Sequence, residues 1–246
     1  MQLTSLVKTV GFRLLPFIKA SLIYLLFWLP YFGKTPSYQS IFFKCLPILC
    51  LICFVIAYLK GLSRKRYAFS ILAGLILSCM GDACLVYSHN WFIEGLLCFA
   101  LGHIMYAYAF GHKQPYRLQM LLFLVPFGIG IYAFMLPGFK GALQYLGGLY
   151  IILICIMAWR AAAAIQLNMW KWTKIFAFWG AVMFCISDLV LAINRFRFEV
   201  PYGDTIVMST YYTAQLGIAL SVVPSSDMIS QKRRESNGHV KAIKQN

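Results

Sequence analysis

The chain has 246 residues, 61% of them hydrophobic and 12% charged, with a formal net charge of +15. So little charge on so much apolar sequence excludes a soluble globular domain and predicts a polytopic membrane protein. The basic residues are dispersed over several loops, which argues against a nucleic-acid partner and for charge that orients the chain in a bilayer.

A spanning helix needs about 20 apolar residues. Eight stretches approach this length, so the expected fold class is all-α with eight transmembrane helices. The first, Leu14–Leu29, carries Lys19 and ends in Trp28-Leu29-Pro30 without a small-residue cleavage pattern, which reads as a span rather than a removable signal. The second, Ile41–Leu59, contains Cys50 and Cys53 as a C-x-x-C with no matching pair. All eight cysteines fall in apolar spans, where packing is the better reading than a metal site or a disulfide framework. The third, Ala68–Tyr87, holds Asp82; the fourth, Phe92–Phe110, holds Glu94, His103 and Tyr106. The fifth is Met120–Leu136 and the sixth, Tyr145–Arg160, contributes Tyr150. The seventh, Ile175–Ile193, holds Asp188, and the eighth, Ile206–Val223, brings Ser209, Tyr211, Tyr212 and Gln215. Residues 1–223 are expected to form one transmembrane domain, and 224–246 a basic, disordered tail.

Alternate loops divide the charge. One side receives Lys8, Arg13, Lys60, Arg64, Lys65, Arg66, Lys113, Arg117, Arg160, Lys171, Lys174 and the tail cluster Lys232, Arg233, Arg234. The other receives little beyond Lys34, Lys140, Arg195 and Arg197. Positive residues favour the cytoplasmic face, so both termini are expected there.

Asp82 and Asp188 are the informative residues. A carboxylate at membrane depth is costly, so an acid inside a span is a functional-site hypothesis by default. The two acidic spans also align without gaps. Gly74-x4-Cys79-x-Gly81-Asp82-x2-Leu85 matches Gly180-x4-Cys185-x-Ser187-Asp188-x2-Leu191, at a constant offset of 106 residues that also carries Tyr106 onto Tyr212. This predicts two four-span repeats in the same orientation, a 4+4 parallel arrangement. Both acids then lie about 7–8 Å below the outer boundary, five residues in at 1.5 Å each. Equal depth is what a facing pair requires.

Tyr211, Tyr212, Gln215, His103, Tyr106, Tyr150, Glu94 and Ser209 reach similar levels and are the candidates to line one polar cavity. Each has a plainer alternative: Glu94 in the headgroup region, His103 and Tyr106 in interhelical hydrogen bonds, the tyrosines as interfacial aromatics. Arg195, two turns after Asp188, raises the alternative of a structural ion pair.

Two nearby carboxylates in a low-dielectric site do not both ionise easily, so one holds a proton and the other is a base. Such a pair suits hydrolysis, and equally suits a proton-coupled transporter of lipid or small solute. An intramembrane aspartyl protease fits poorly, because Cys79 stands where its first glycine belongs and the later Pro-Ala-Leu motif is missing. There is no G-x-S-x-G elbow and no H-E-x-x-H motif.

Several blocks carry a family resemblance: Lys44-Cys-Leu-Pro-Ile, Met80-Gly-Asp-Ala-Cys-Leu, Gly102-His-x2-Tyr-Ala-x-Ala-Phe-Gly111, Trp159-Arg-Ala, Ser187-Asp-Leu-x-Leu-Ala-x-Asn194-x-Phe and Ile206-Val-Met-Ser-Thr-Tyr-Tyr-x-Ala-Gln-Leu. In order and over residues 14–223, they resemble the lysoplasmalogenase (YhhN-type) transmembrane family. The resemblance implies an integral endoplasmic-reticulum hydrolase that cleaves the vinyl ether bond of lysoplasmalogens with choline or ethanolamine headgroups. Its products would be a fatty aldehyde and a glycerophospho-base, formed without cofactor or metal. On this reading Asp82 and Asp188 are the catalytic pair, with Tyr211, Tyr212, Gln215 and Asn194 among the residues that bind or orient substrate and water. Which of the two is acid and which is base stays open in the sequence; Arg195 near Asp188 favours Asp82 as the acid. Glu94 lies outside the matching blocks.

Overall fold

The computed structural model describes residues 2–32, 35–59, 65–111, 118–165 and 172–223, apart from the side chains of 2–9 and 118. Among these residues the chain is all-helical. Helix α1 runs Gln2–Ile23 and continues through a π-helical turn, Tyr24–Trp28, into Leu29–Phe32. Then come α2 (Tyr38–Leu59), α3 (Lys65–Val86), α4 (Ser88–Gly111), α5 (Leu121–Met135), α6 (Leu143–Ala163), α7 (Trp172–Phe196) and α8 (Gly203–Leu220).

Seven helices are long and apolar enough to cross a membrane, which makes the chain an integral membrane protein. The exception is α8, expected as the eighth apolar span. Its 18 residues include Asp204, Ser209, Thr210, Tyr211, Tyr212 and Gln215, and these lower its hydropathy. It is largely an interior helix, with Val207, Tyr211, Ala214 and Ile218 all buried, so most of its apolar surface meets protein. Two further boundaries differ from expectation. The first helix begins well before Leu14, and α4 begins at Ser88 with a kink at Trp91 (φ −120°, ψ 26°). The basic residues at 60, 64, 113, 117 and 171, and the whole tail from 224, lie outside the described residues.

Two tight hairpins position the acids. Helices α3 and α4 are joined at Tyr87 alone. They approach closely because Gly74 has no side chain: a Cβ there would lie 2.2 Å from the Tyr106 ring. Helix α7 presses on α8 at Gly180, where a Cβ would meet the carbonyl oxygen of Ala214 at 2.7 Å. Without a hydrophobic drive between helices in lipid, such small-residue contacts hold the bundle by packing. Helix α5, by contrast, buries only Gly128 and Met135 and stands at the periphery.

Candidate active site

Asp82, four residues before the end of α3, is buried, and groups from two other helices converge on it. The Tyr211 hydroxyl of α8 donates to its Oδ2 at 2.6 Å. On the other oxygen, Lys44 Nζ of α2 approaches to 3.7 Å, an ion pair rather than a close hydrogen bond. Lys44 is itself fixed by Tyr212, whose hydroxyl donates to the Lys44 carbonyl at 2.8 Å. Tyr212 is braced in turn by the edge of Tyr24, with ring centroids 5.7 Å apart. The π-helical turn of α1 starts at Tyr24, and such turns occur disproportionately at functional sites.

Asp188 is held differently. The Tyr150 hydroxyl of α6 donates to Oδ2 at 2.5 Å. His103 Nε2 of α4 lies 3.2 Å from the same oxygen and 2.9 Å from the Tyr150 hydroxyl, closing a triangle. His103 is fully buried, edge-on against Phe184. Next to Asp188, the Ser187 hydroxyl donates to the Val207 carbonyl at 3.0 Å and ties α7 to α8.

Both acids line one cavity of about 630 Å³, together with Lys44, Tyr211, Asn194 and Arg195. It lies at the end of the bundle that carries the α3–α4 and α7–α8 turns. A second cavity, about 470 Å³ and almost wholly apolar, runs between α4, α5, α6 and α7. Helix α6 lines it from Leu143 to Ala162, about 28 Å of helix. The two cavities share Leu85, Phe92, Phe99, Leu191 and Asp188. Asp188 is therefore the ionisable residue at their junction, whereas Asp82 faces the polar cavity alone.

The other sequence candidates divide. Tyr106 and Gln215 are buried and bonded to each other, hydroxyl to Oε1 at 2.8 Å, beneath the site rather than on its wall. Asn194 accepts the Val200 amide at 2.9 Å and shapes the mouth. Glu94 and Ser209, expected in the polar cavity, line neither cavity, and Glu94 is exposed. A helix has two faces at any given depth, and depth was the only coordinate available for these residues in the sequence. The expected action of Arg195 on Asp188 is also corrected. Its guanidinium donates to the Ser88 carbonyl at 3.3 Å and lies over the Phe92 ring. The cation beside an acid is Lys44, and the acid is Asp82. Lys44 was missed although it bears the mark that singled out Asp82, an ionisable group inside an apolar span. Among the described residues no cluster of three or more His, Cys, Asp or Glu has the arrangement of a metal site.

A model of the YhhN family matches residues 39–222. The chain belongs to the YhhN family. Relatives in this family are similar over almost the whole chain. Lysoplasmalogenase TMEM86A of Bos taurus is 42% identical over 233 residues, covering 93% of this chain and 96% of the relative. The TMEM86A lysoplasmalogenase of Homo sapiens is equally similar. Lysoplasmalogenase TMEM86B of Rattus norvegicus is 34% identical over 212 residues, covering 86% of this chain and 84% of the relative. No solved structure matches the chain. The family match begins after α1, so Tyr24, which braces the site, comes from outside it.

Proposed function

We propose that this YhhN-family protein is a lysoplasmalogenase: it hydrolyses the vinyl ether bond of lysoplasmalogens with choline or ethanolamine headgroups, using Asp82 and Asp188 as an acid–base pair. The observation that carries the reading is the junction of a polar and an apolar cavity at Asp188. A single-chain amphiphile matches that shape, with its chain in the apolar cavity, its headgroup in the polar one and its ether linkage at the acid. The names of the similar TMEM86A and TMEM86B proteins point to the same substrate.

In a vinyl ether the β-carbon lies on the chain side of the oxygen, and Asp188 is the acid that borders the chain cavity. Asp188 therefore delivers the proton. Asp82, with Lys44 as counter-charge, acts as the carboxylate. Protonation of the β-carbon leaves an oxocarbenium ion, which Asp82 stabilises electrostatically. Water then adds to the α-carbon and gives its proton to Asp82. The hemiacetal collapses as Asp188 takes back the hydroxyl proton and Asp82 protonates the departing glycerol oxygen. Both acids return to their starting states, with aldehyde and alcohol as products. Tyr150, His103 and Tyr211 hold the carboxyl groups in place.

The finer architecture follows the same reading. Residues 1–223 form the catalytic domain, with α8 as an eighth span sheltered by protein, both termini cytoplasmic and the whole resident in the endoplasmic reticulum. The 4+4 repeat is supported by the acids' partners: Lys44 and Tyr150 are themselves 106 residues apart, and each contacts the acid of its own half.

Purified protein given a lysoplasmalogen should release fatty aldehyde and glycerophospho-base in equal amounts. Movement of intact lipid between leaflets without aldehyde would replace this reading with that of a transporter.

A further inference from the structure

Lys44 serves the hydrolysis only as a counter-charge to Asp82, which leaves the hydrogen-bonding capacity of its ammonium unused. Its side chain is only 12% exposed, yet it lines the polar cavity. An ammonium has three donors. Among the described residues the partner of its ammonium is the carboxylate of Asp82 at 3.7 Å, too long for a good charge-assisted hydrogen bond. Holding such a cation at membrane depth is costly. The other cation of the cavity, Arg195, already donates to Ser88 and stacks on Phe92. Asp82, Asp188 and Asp204 also face the cavity, so an anion entering it needs a cation to confront it, and Lys44 is the buried one.

We propose that Lys44 is the anchor for the phosphodiester of a lysophospholipid substrate, exchanging its long contact with Asp82 for direct hydrogen bonds to the phosphate. This rests on the reading of the site as a lysoplasmalogen hydrolase. Asp82 keeps the Tyr211 hydroxyl as its donor during the exchange. The phosphate then fixes the register of the glycerol, with the ether linkage one glycerol length deeper toward Asp188. Lys44 thus couples recognition of the headgroup to a carboxylate freed to receive the proton of water. A phosphate-free alkenylglycerol would bind without making this exchange.

The test measures hydrolysis of a lysoplasmalogen and of the corresponding 1-alkenylglycerol by wild type, Lys44→Arg and Lys44→Gln in the same detergent. Wild type should have the lower KM for the phosphate-bearing lipid. Lys44→Gln should raise that KM about ten- to hundredfold, what one charge-assisted contact is worth, until the two substrates converge. Lys44→Arg should preserve much of the difference. If Lys44→Gln lowers kcat equally for both substrates and keeps the KM ratio, Lys44 is only the counter-charge of Asp82 and the anchor is refuted. Equilibrium binding supplies a second readout that needs no hydrolysis and no variant. Wild type should bind lysophosphatidylcholine, which has the phosphate but an ester in place of the vinyl ether, more tightly than the matching monoacylglycerol. Equal affinities would overturn the anchor. Tighter binding of the phospholipid by a protein that releases no aldehyde would keep the anchor and sink the hydrolase.

Discussion

Lys44 reaches Asp82 across 3.7 Å, from a position 38 residues earlier in the chain. The same separation divides Tyr150 from Asp188, which meet at 2.5 Å. The second partner of each acid lies on a more distant helix: Tyr211 of α8 on Asp82, and His103 of α4 on Asp188. Asp82 is thus clamped between α2 and α8, and Asp188 between α6 and α4. Each clamp contains one phenol, and they differ in the other group, an ammonium at Asp82 and an imidazole at Asp188.

That arrangement separates the two tyrosines. Tyr150→Phe removes the donor at the acid that borders the chain and leaves His103 beside it. Tyr211→Phe removes the 2.6 Å hydrogen bond to Asp82 and leaves Lys44 beside it. Each should lower kcat about tenfold or more, the worth of one hydrogen bond to a charged group. Steady-state kinetics on folded protein checks this, and a double variant no worse than either single one would show that the two bonds serve one function.

Packing carries its own prediction. At Gly74 a methyl group would lie 2.2 Å from the Tyr106 ring and displace its hydroxyl from Gln215. Gly74→Ala should cost about 1–3 kcal/mol of stability, the usual penalty for overpacking. A thermal melt in detergent reads it. The matching change Gly180→Ala meets backbone rather than a ring, so it should be the more damaging of the two.

Much of this site was legible in the sequence. Seven helices followed from apolar length alone, because lipid demands it. Asp82 and Asp188 stood out because charge in such helices is costly, and their common offset placed them at one depth. The constellation around them was not legible. Tyr150 and His103 could be listed by depth, but so could Glu94 and Ser209, and only rotation about the helix axis separates the first pair from the second. Lys44 escaped because it lies near the end of its span, where a lysine ordinarily reaches the interface. Its target is set by α2 packing beside α3, a tertiary fact. Helix α8 shows the converse: Tyr211, Tyr212 and Gln215 lower its hydropathy, and all three are buried against protein.

The apolar cavity should set chain-length preference. Ala158 lies on its α6 wall, more than two turns beyond Tyr150. Ala158→Phe should fill that part of the cavity and shift preference toward shorter alkenyl chains, with little change in kcat for the shortest. Competition between two lysoplasmalogens of different chain length measures the shift. An unchanged preference would remove this cavity from substrate binding.

The order of bond making is open to isotopic labelling. In heavy water, protonation of the β-carbon must leave one deuterium on the carbon next to the aldehyde. Mass spectrometry of the aldehyde, trapped at once, should find it in every turnover. Unlabelled product would exclude delivery of a solvent-exchangeable proton from Asp188.

The most direct measurement is aldehyde release by purified wild type, Asp82→Asn and Asp188→Asn, each shown to be folded by its thermal melt. Wild type should turn over, and each amide variant should fall by about a hundred- to ten-thousandfold, the range expected when a general acid or base is removed. Near wild-type turnover in either variant would contradict the two-carboxylate account of this site.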